Sequence, residues 1–377
     1  MVMELLASRC RRGGIEVKLS QALPRQHCEG GWPAINRFKN PADDCQRPCQ
    51  DIGKIRYLRN VVSGAQIEEF GELLVSGHLA REGNQKFMPA RSKLNENQYE
   101  SIQLAAGFSP SVFRALGQRS WTPALLQLEP MYEFARRHEL SSLGEAFDEA
   151  FDRLARSYRN EYVYKNTIVS KIVFGRHSPR TASALLELHA GTSIADVVVF
   201  NGTSTVYEIK TDLDSLTRLQ SQMSQYSEHF ERCYLVTSFA RSSAVLDTVP
   251  PYVGVIGIRK NGALAEIRPA TGGLDRLSAR AMFGLLRRDE VLRILEHTLH
   301  YTTDVPIPQL WSRTRELFET LPIDVAHSHT VAELSQRSRQ CPDIAKSMPE
   351  SLRARMYETP TSRVALARIQ HALHSTL

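Results

Sequence analysis

Short β-type runs alternate with a helical pattern in the middle of the chain. The runs are SALLELHAG (183–191), IADVVVF (194–200), STVYEIK (204–210), CYLVTS (233–238), VGVIGI (253–258) and ALAEIRP (263–269). Between the third and fourth runs, helical spacing relates Leu213, Leu216, Leu219, Met223, Tyr226 and Phe230. This order predicts an α/β fold. A three-stranded meander precedes a strand–helix–strand crossover, which gives a mixed central sheet with helices on its faces.

Helical patterns flank the strands on both sides. Short helices interrupted by Pro110, Pro123 and Pro130 come first, and one long helix from about Leu143 to Val173 follows. The chain after residue 275 predicts helices only. The expected organisation is an N-terminal segment of uncertain structure (1–90), a small helical lead-in (91–142), the sheet-containing core (143–270) and a helical C-terminal region (271–377).

Some parts of this organisation have alternatives. Residues 1–60 have little periodicity and predict loop or disorder, whereas residues 65–90 could hold one helix. The lead-in has a spacing compatible with helix-turn-helix DNA readout, although plain helix packing also explains it. Within the long helix, Asn160 could interrupt the periodic seam.

The turn after Phe200 decides which side chains share a face of the sheet. Side chains alternate between faces along a strand, so Glu208 and Lys210 lie on one face. A three-residue loop over 201–203 sets Asp196 opposite Glu208, whereas a two-residue Asn-Gly loop turns Asp196 to the other face. We predict the three-residue loop.

Charge adds a weak indication of an anionic partner. The chain has 377 residues and a formal net charge of +6, which mildly favours nucleic-acid binding. Residues 151–180 hold seven Lys or Arg residues and two acids. These basic residues are Arg153, Arg156, Arg159, Lys165, Lys171, Arg176 and Arg180. The segment is either a solvated helix face or a phosphate-facing surface.

Composition also limits the cellular context. There is no run of about 18 apolar residues, so no transmembrane helix is expected, and the N-terminal apolar run is too short for a secretory signal. The six cysteines are scattered, which favours a reducing cytoplasm. A zinc site is a minor alternative, with the candidate ligands His27, Cys28, Cys45 and Cys49.

Two carboxylates and an ammonium group on neighbouring strands are a set that can bind a divalent cation. Mg²⁺ prefers hard oxygen ligands, and the predicted ones are Asp196, Glu208 and the carbonyl of Ile209; Mn²⁺ could substitute. Such an ion lowers the pKa of a bound water and stabilises charge on a phosphate. Lys210 would orient that water or stabilise the pentavalent state.

Glu161 and Lys165 are polar intrusions in an apolar helical stripe. An internal ion pair at i, i+4 explains them structurally. Alternatively, Glu161 completes the metal shell or assists proton transfer. For His177 and His189 we expect structural roles. Fingerprints for acyl transfer, ATP hydrolysis and redox chemistry are absent from the sequence.

The order helix-Glu, strand-Asp, strand-Glu-x-Lys resembles the PD-(D/E)xK nuclease superfamily. In this chain the four residues are Glu161, Asp196, Glu208 and Lys210. The segment from Gln222 to Tyr226 is similar to the QxxxY element of RecB-like members, whose Gln and Tyr touch DNA beside the site. The region after residue 143 also resembles a poorly characterised bacterial family with this core. Ala195 stands where the motif has Pro.

The resemblance implies a restriction-endonuclease-like fold and a Mg²⁺-dependent deoxyribonuclease that cleaves phosphodiester bonds with a metal-activated water. It implies DNA as the partner and the catalytic residues Asp196, Glu208, Lys210 and Glu161. A catalytically inactive nucleic-acid-binding protein with the same fold is the alternative, and so is cleavage of RNA. Protein partners are not predicted.

Overall fold

The computed structural model describes residues 96–119, 122–340, 342–359 and 361–376. The possible helix at 65–90, the loop-like segment 1–60 and the zinc candidates all lie outside the described residues. Among the described residues, no helix combines the length and apolarity needed to span a bilayer.

Six strands form one mixed sheet in the sequential order β1 to β6. They are β1 (Ser183–Ala190), β2 (Ser193–Phe200), β3 (Ser204–Ile209), β4 (Arg232–Ser238), β5 (Gly254–Ile258) and β6 (Leu264–Arg268). The first three strands are antiparallel neighbours, β3–β4 and β4–β5 pair in parallel, and β6 is antiparallel to β5. The predicted α/β fold, with a meander, a crossover and a mixed sheet, is therefore confirmed.

Burial along the strands follows their place in the sheet. Strand β5 is buried throughout, and all of β4 except Arg232 is buried, because both strands have neighbours on both sides and helices on both faces. Strand β6 is only half-buried and lies at the edge of the sheet.

The turn between β2 and β3 is the predicted three-residue loop. Phe200 pairs with Ser204, and the Asn201 amide bonds to the Thr203 carbonyl at 3.2 Å. Gly202, in the middle of the loop, has φ of +72°, a left-handed conformation that glycine adopts with little strain. The loop thereby fixes the register on which the position of Asp196 depends.

Helices cover both faces of the sheet. Those before it are α1 (Glu96–Gly107), α2 (Pro110–Leu116), α3 (Thr122–Arg137), α4 (Leu143–Ser157) and α5 (Glu161–Ile168). Helix α6 (Leu219–His229) connects β3 to β4. After the sheet come α7 (Ala279–Leu285), α8 (Arg288–Leu299), α9 (Ile307–Glu319), α10 (Ile323–Ser338), α11 (Pro342–Ser347), α12 (Arg353–Glu358) and α13 (Arg363–His374). The described part of the C-terminal region is thus helical, as predicted.

Two hydrophobic clusters lie on opposite faces of the sheet. The first joins the early helices, α12 and α13 to one face, which includes Val197 and Val236. The second cluster joins the five helices from α6 through α10 to the other face of the sheet, which includes Val198 and Leu235. Neighbouring residues in a strand enter different clusters because side chains alternate between faces.

The predicted long helix from Leu143 to Val173 is wrong as a continuous element. Helix α4 ends at Ser157, and Asn160 caps α5 by accepting a hydrogen bond from the Val163 amide at 3.1 Å. A π-helical segment, Val169–Arg176, then continues from α5. The break at Asn160 has a local cause, since an asparagine side chain competes well for the free amides of a new helix.

The helical pattern predicted after β3 also begins earlier in the sequence than the observed helix. Helix α6 begins at Leu219, and Leu213 is almost fully exposed. The segment before the helix forms a turn instead, in which the Asp214 carboxylate accepts hydrogen bonds from the amide and hydroxyl of Thr211. Such local side-chain bonds compete with helix formation.

Pro130 does not end a helix, contrary to the prediction. Helix α3 continues through it, and Leu128, Met131 and Phe134 on either side of the proline are buried in the first hydrophobic cluster. Tertiary packing therefore overrides the local preference of proline. The segment 274–299, predicted from its pattern to be helical, is divided into a 3₁₀ turn, α7 and α8.

Replacing Gly202 by alanine tests the turn. A Cβ at Gly202 meets nothing within 4 Å, so the substitution isolates the strain of the positive φ, and we expect a loss of about 1 kcal/mol in the free energy of unfolding. Gly284→Ala is the matched control, because a Cβ there is also free but the residue lies in α7, where alanine stabilises by about 0.5–1 kcal/mol. Urea unfolding measures both. Two changes of the same sign would contradict the left-handed turn.

Candidate functional site

Asp196 and Glu208 lie where the antiparallel strands β2 and β3 stop pairing. The last pair in the ladder is Val197 with Tyr207, and this register sets Asp196 opposite Glu208, as predicted. Beyond it, one oxygen of Asp196 accepts a hydrogen bond from the Ile209 amide at 2.7 Å. A side chain thus satisfies an amide next to the end of the ladder, and it fixes the Asp196 carboxylate over the end of β3.

The environment of Asp196 disfavours its charge. Burial and the neighbouring Glu208 carboxylate raise the pKa of Asp196 to about 7, against the opposing effects of Lys165 and the Ile209 amide. The two carboxylates are therefore close enough to interact electrostatically. A bound cation would relieve this repulsion.

Glu208 is buried and both of its oxygens have partners. Lys210 donates a hydrogen bond to one oxygen at 2.6 Å. The hydroxyl of Tyr226 lies 3.0 Å from the other oxygen and 2.8 Å from the Ile194 carbonyl. Burial and the adjacent Glu208 raise the pKa of Tyr226 above its ordinary value, so the hydroxyl remains protonated.

A third acid, Glu187 of β1, extends the row across the sheet. The neighbouring pair of Leu188 with Ala195 sets Glu187 opposite Asp196. Glu187 has φ of +53° although it is not glycine, which is a costly left-handed conformation within a strand. Residues Glu187, Asp196 and Glu208 therefore occupy the same row on three adjacent strands; we call them the acid row.

Lys165 of α5 enters the site from the helix layer. Its ammonium contacts Glu161 and Glu187 and lies 3.8 Å from Asp196. The Lys165 side chain is buried, whereas Glu161 is exposed at the first position of α5. The structure thus combines both alternatives for Glu161. It pairs with Lys165 within α5, and it lies at the edge of the site.

The oxygens of Glu161, Glu187 and Asp196 form a set that suits a hard divalent cation. One carboxylate oxygen from each lies within 4.8 Å of the others. Ligands that share Mg²⁺ at about 2.1 Å lie within about 4.2 Å of one another, so small side-chain movements would suffice. With Glu208 nearby, four carboxylates face only two ammonium groups. The residues therefore fit the ion, which would compete with Lys165.

The predicted metal ligands overlap this set only in part. Asp196 belongs to it, whereas Glu208 bonds to Lys210 and Tyr226, and the Ile209 amide donates to Asp196. Glu187 was missed by the sequence reasoning. Its one signal was an acid in the middle of the largely apolar run SALLELHA.

The two residues of the QxxxY element have different surroundings. Tyr226 points into the site, and Gln222 is half-buried one helical turn earlier on α6. The neighbouring Gln225 bonds instead to the Thr192 hydroxyl at 3.1 Å. Of the pair, Tyr226 is the one that contacts an acid of the row.

Much of the basic segment 151–180 is paired within the molecule. Four of its members contact acids: Arg153 with Glu100, Arg156 with Glu149, Lys165 with Glu161 and Glu187, and Lys171 with Glu350. Arg159 donates instead to the carbonyls of Ile258 and Arg259. The segment is therefore largely a structural ion-pair surface.

The two histidines near the core have different surroundings. His177 has a structural role, since its Nδ1 lies 2.8 Å from the side-chain nitrogen of Asn201. The prediction of a structural role does not fit His189, which is exposed on β1, the strand at the edge of the sheet.

Asp196→Asn tests the raised pKa. Because the folded-state pKa of about 7 exceeds the ordinary 3.8, the fold favours the protonated acid, and this stabilisation is lost as the pH rises from about 4 through 7. In chelator, the parent should therefore lose on the order of 4 kcal/mol relative to the variant over that range. Urea unfolding at a series of pH values measures it. The exposed Asp247→Asn is the control, and parallel profiles for parent and Asp196→Asn would contradict the assignment.

Tyr226→Phe tests how much the hydrogen bond from the Tyr226 hydroxyl to Glu208 stabilises the fold. Removing the hydroxyl takes away the single proton that the buried Glu208 oxygen and the Ile194 carbonyl share, and we expect a loss of about 1–3 kcal/mol in the free energy of unfolding. Tyr99→Phe, at an exposed position, should change it by less than about 0.5 kcal/mol. Equal effects of the two substitutions would show that the hydroxyl contributes nothing specific.

Comparison with known proteins places the site within a family. A family model described as bacteriophage P4 protein cII matches residues 155–345, just over half of the chain. Protein cII of Enterobacteria phage P4 is 27% identical over 143 residues, which cover 36% of this chain and 49% of that protein. The chain thus spans about half the length of this curated relative. No solved structure matches significantly. All six strands and the acid row lie within the region that the model matches, and the chain belongs to the bacteriophage P4 protein cII family.

Proposed function

We propose that this protein is a metal-dependent nuclease that hydrolyses phosphodiester bonds of DNA. The observation that carries the proposal is that Asp196 and Glu208 lie together where β2 and β3 stop pairing, with Lys210 donating to Glu208 at 2.6 Å. Two close carboxylates and an ammonium group are the components that phosphodiester hydrolysis requires. The similarity to the PD-(D/E)xK pattern supports the same reaction.

The acids suggest where Mg²⁺ or Mn²⁺ would bind. Asp196, Glu161 and Glu187 would hold it through carboxylate oxygens, with Glu208 adding negative charge nearby. When bound, the ion would supply Lewis acidity for a phosphate oxygen and a water. The Glu208 carboxylate adds to burial in raising the pKa of Asp196, and a cation bound between these acids would relieve their repulsion.

The chain's own residues would position the reacting groups. Tyr226 holds one oxygen of Glu208 as a neutral donor, and Lys210 holds the other. The carboxylate is thereby fixed in orientation, and no reorganisation is needed during the reaction. The Lys210 ammonium is a compact cation that would stabilise charge developing on the phosphate.

A second candidate is a nucleic-acid-binding protein that keeps the fold without turnover. The position of Lys165 favours it, because this ammonium contacts two acids and already acts as an internal counter-ion. Such a protein would bind DNA with an affinity that falls with salt. The predicted cytoplasmic location is compatible with either function, and RNA remains an alternative substrate.

Glu208→Gln and Lys210→Met test the nuclease proposal. We expect the full-length protein to cleave plasmid or linear DNA with Mn²⁺ or Mg²⁺, and each substitution to lower the rate about 100-fold or more, because each removes charge at the reacting centre. A single-stranded RNA of the same length distinguishes the substrates. Glu296→Gln and Lys260→Met, at exposed positions, are matched controls that should leave the rate unchanged.

Equal cleavage by the parent and both site variants would refute the proposal, since the activity would then be a contaminant. Calorimetry with Mn²⁺ separates the two candidates. Binding that is lost in Asp196→Asn supports the enzyme. DNA binding without Mn²⁺ uptake or cleavage supports the second candidate.

A further inference from the structure

A cavity of about 350 Å³ lies between the start of β1 and helix α10. Its walls are the segment 179–183, Gly202 of the β2–β3 turn, one face of α10 from Ser328 to Gln336, and Arg339 just after that helix. The volume lies within the range of small-molecule sites, about 300–1,000 Å³. Ser183 is four residues from Glu187 along β1, a separation of about 13 Å, so the cavity is distinct from the acid row.

Positive charge lines this cavity without a matching acid. Arg180 lies on the β1 side and Arg339 on the α10 side, and none of the lining residues that the structure describes is Asp or Glu. Both arginines are exposed, and within the described ranges neither forms an ion pair. This contrasts with the other basic residues of 151–180, most of which have partners. Unpaired guanidinium groups on two walls favour an anionic occupant.

A buried hydroxyl in the wall points to the same conclusion. Ser183 lines the cavity and is 5% exposed, and its Oγ has no hydrogen-bond partner in the described part of the chain. Buried polar groups are normally satisfied, and leaving one unpaired costs free energy. The hydroxyl is closed to solvent in its present position, and rotation about the Ser183 Cα–Cβ bond would turn it toward an oxygen of a ligand in the cavity.

We propose that this cavity binds the phosphate group of a nucleotide-sized ligand. The planar forks of Arg180 and Arg339 suit phosphate oxygens, and the Ser183 hydroxyl adds a neutral donor. The space exceeds that of a bare phosphate ion, so there is room for a sugar or base as well. The site does not depend on the proposed nuclease function.

Calorimetry on the full-length protein in a chelating buffer tests the site. The probes are inorganic phosphate, adenosine 5′-monophosphate and adenosine, and the chelator suppresses binding through a metal at the acid row. We expect the monophosphate to bind and adenosine not to bind. Arg180→Gln with Arg339→Gln should raise the Kd at least tenfold, and Ser183→Ala severalfold, because each change removes donors to phosphate.

Two controls distinguish binding in this cavity from nonspecific electrostatic binding elsewhere on the protein. Arg280→Gln, at an exposed position of α7, should leave the Kd unchanged, and so should Asp196→Asn. Ala332→Trp keeps both arginines but fills the cavity from α10, and it should abolish binding while circular dichroism and thermal unfolding stay as in the parent.

The outcomes are distinct. Tighter binding of the monophosphate than of inorganic phosphate supports the proposal, whereas equal affinity for the two probes overturns the nucleotide-sized ligand and leaves a site for phosphate alone. The proposal is overturned by failure of both phosphate probes to bind, by an unchanged Kd in the double arginine variant, or by binding that survives Ala332→Trp.

Discussion

Concentrated negative charge on three neighbouring strands, at the level where β2 and β3 stop pairing, is the constraint on which the candidate site depends. Asp196 and Glu208 lie opposite each other, and Glu187 continues their row. Burial is the larger cause of the raised pKa of Asp196, and repulsion from the neighbouring Glu208 carboxylate adds to it. Two lysines, Lys165 and Lys210, partly neutralise this charge, and they contact different members of the acid row.

The partners of these acids come from both helix layers. Lys165 extends from α5 on the side of the first hydrophobic cluster, whereas Tyr226 extends from α6 on the side of the second. Asp196 contacts the former and Glu208 lies against the latter. The sheet therefore acts as a common support, and the site combines groups from both of its faces at the place where β2 and β3 separate.

The break at Asn160 has a consequence beyond local geometry. It starts a new helix at Glu161, so that Glu161 and Lys165 face the acid row instead of continuing the apolar seam of α4. Arg159 holds the connection by donating to the carbonyls of Ile258, the last residue of β5, and of Arg259. A capping residue and one anchored arginine thus set the direction from which the helix approaches the site.

Local sequence was sufficient for most of the architecture. The alternation of apolar residues predicted all six strands and the crossover, and the turn after Phe200 fixed Asp196 opposite Glu208. These features depend on neighbours a few residues apart, where periodicity and turn length are decisive. Tertiary structure alone decided the remaining contacts. Glu187 forms an ion pair with Lys165, and Arg180 and Arg339 line the same cavity. Both arrangements depend on how distant helices pack on the sheet. Hydrophobic packing against the sheet sets those positions, and single-sequence periodicity gives the buried face of a helix but not its place among its neighbours.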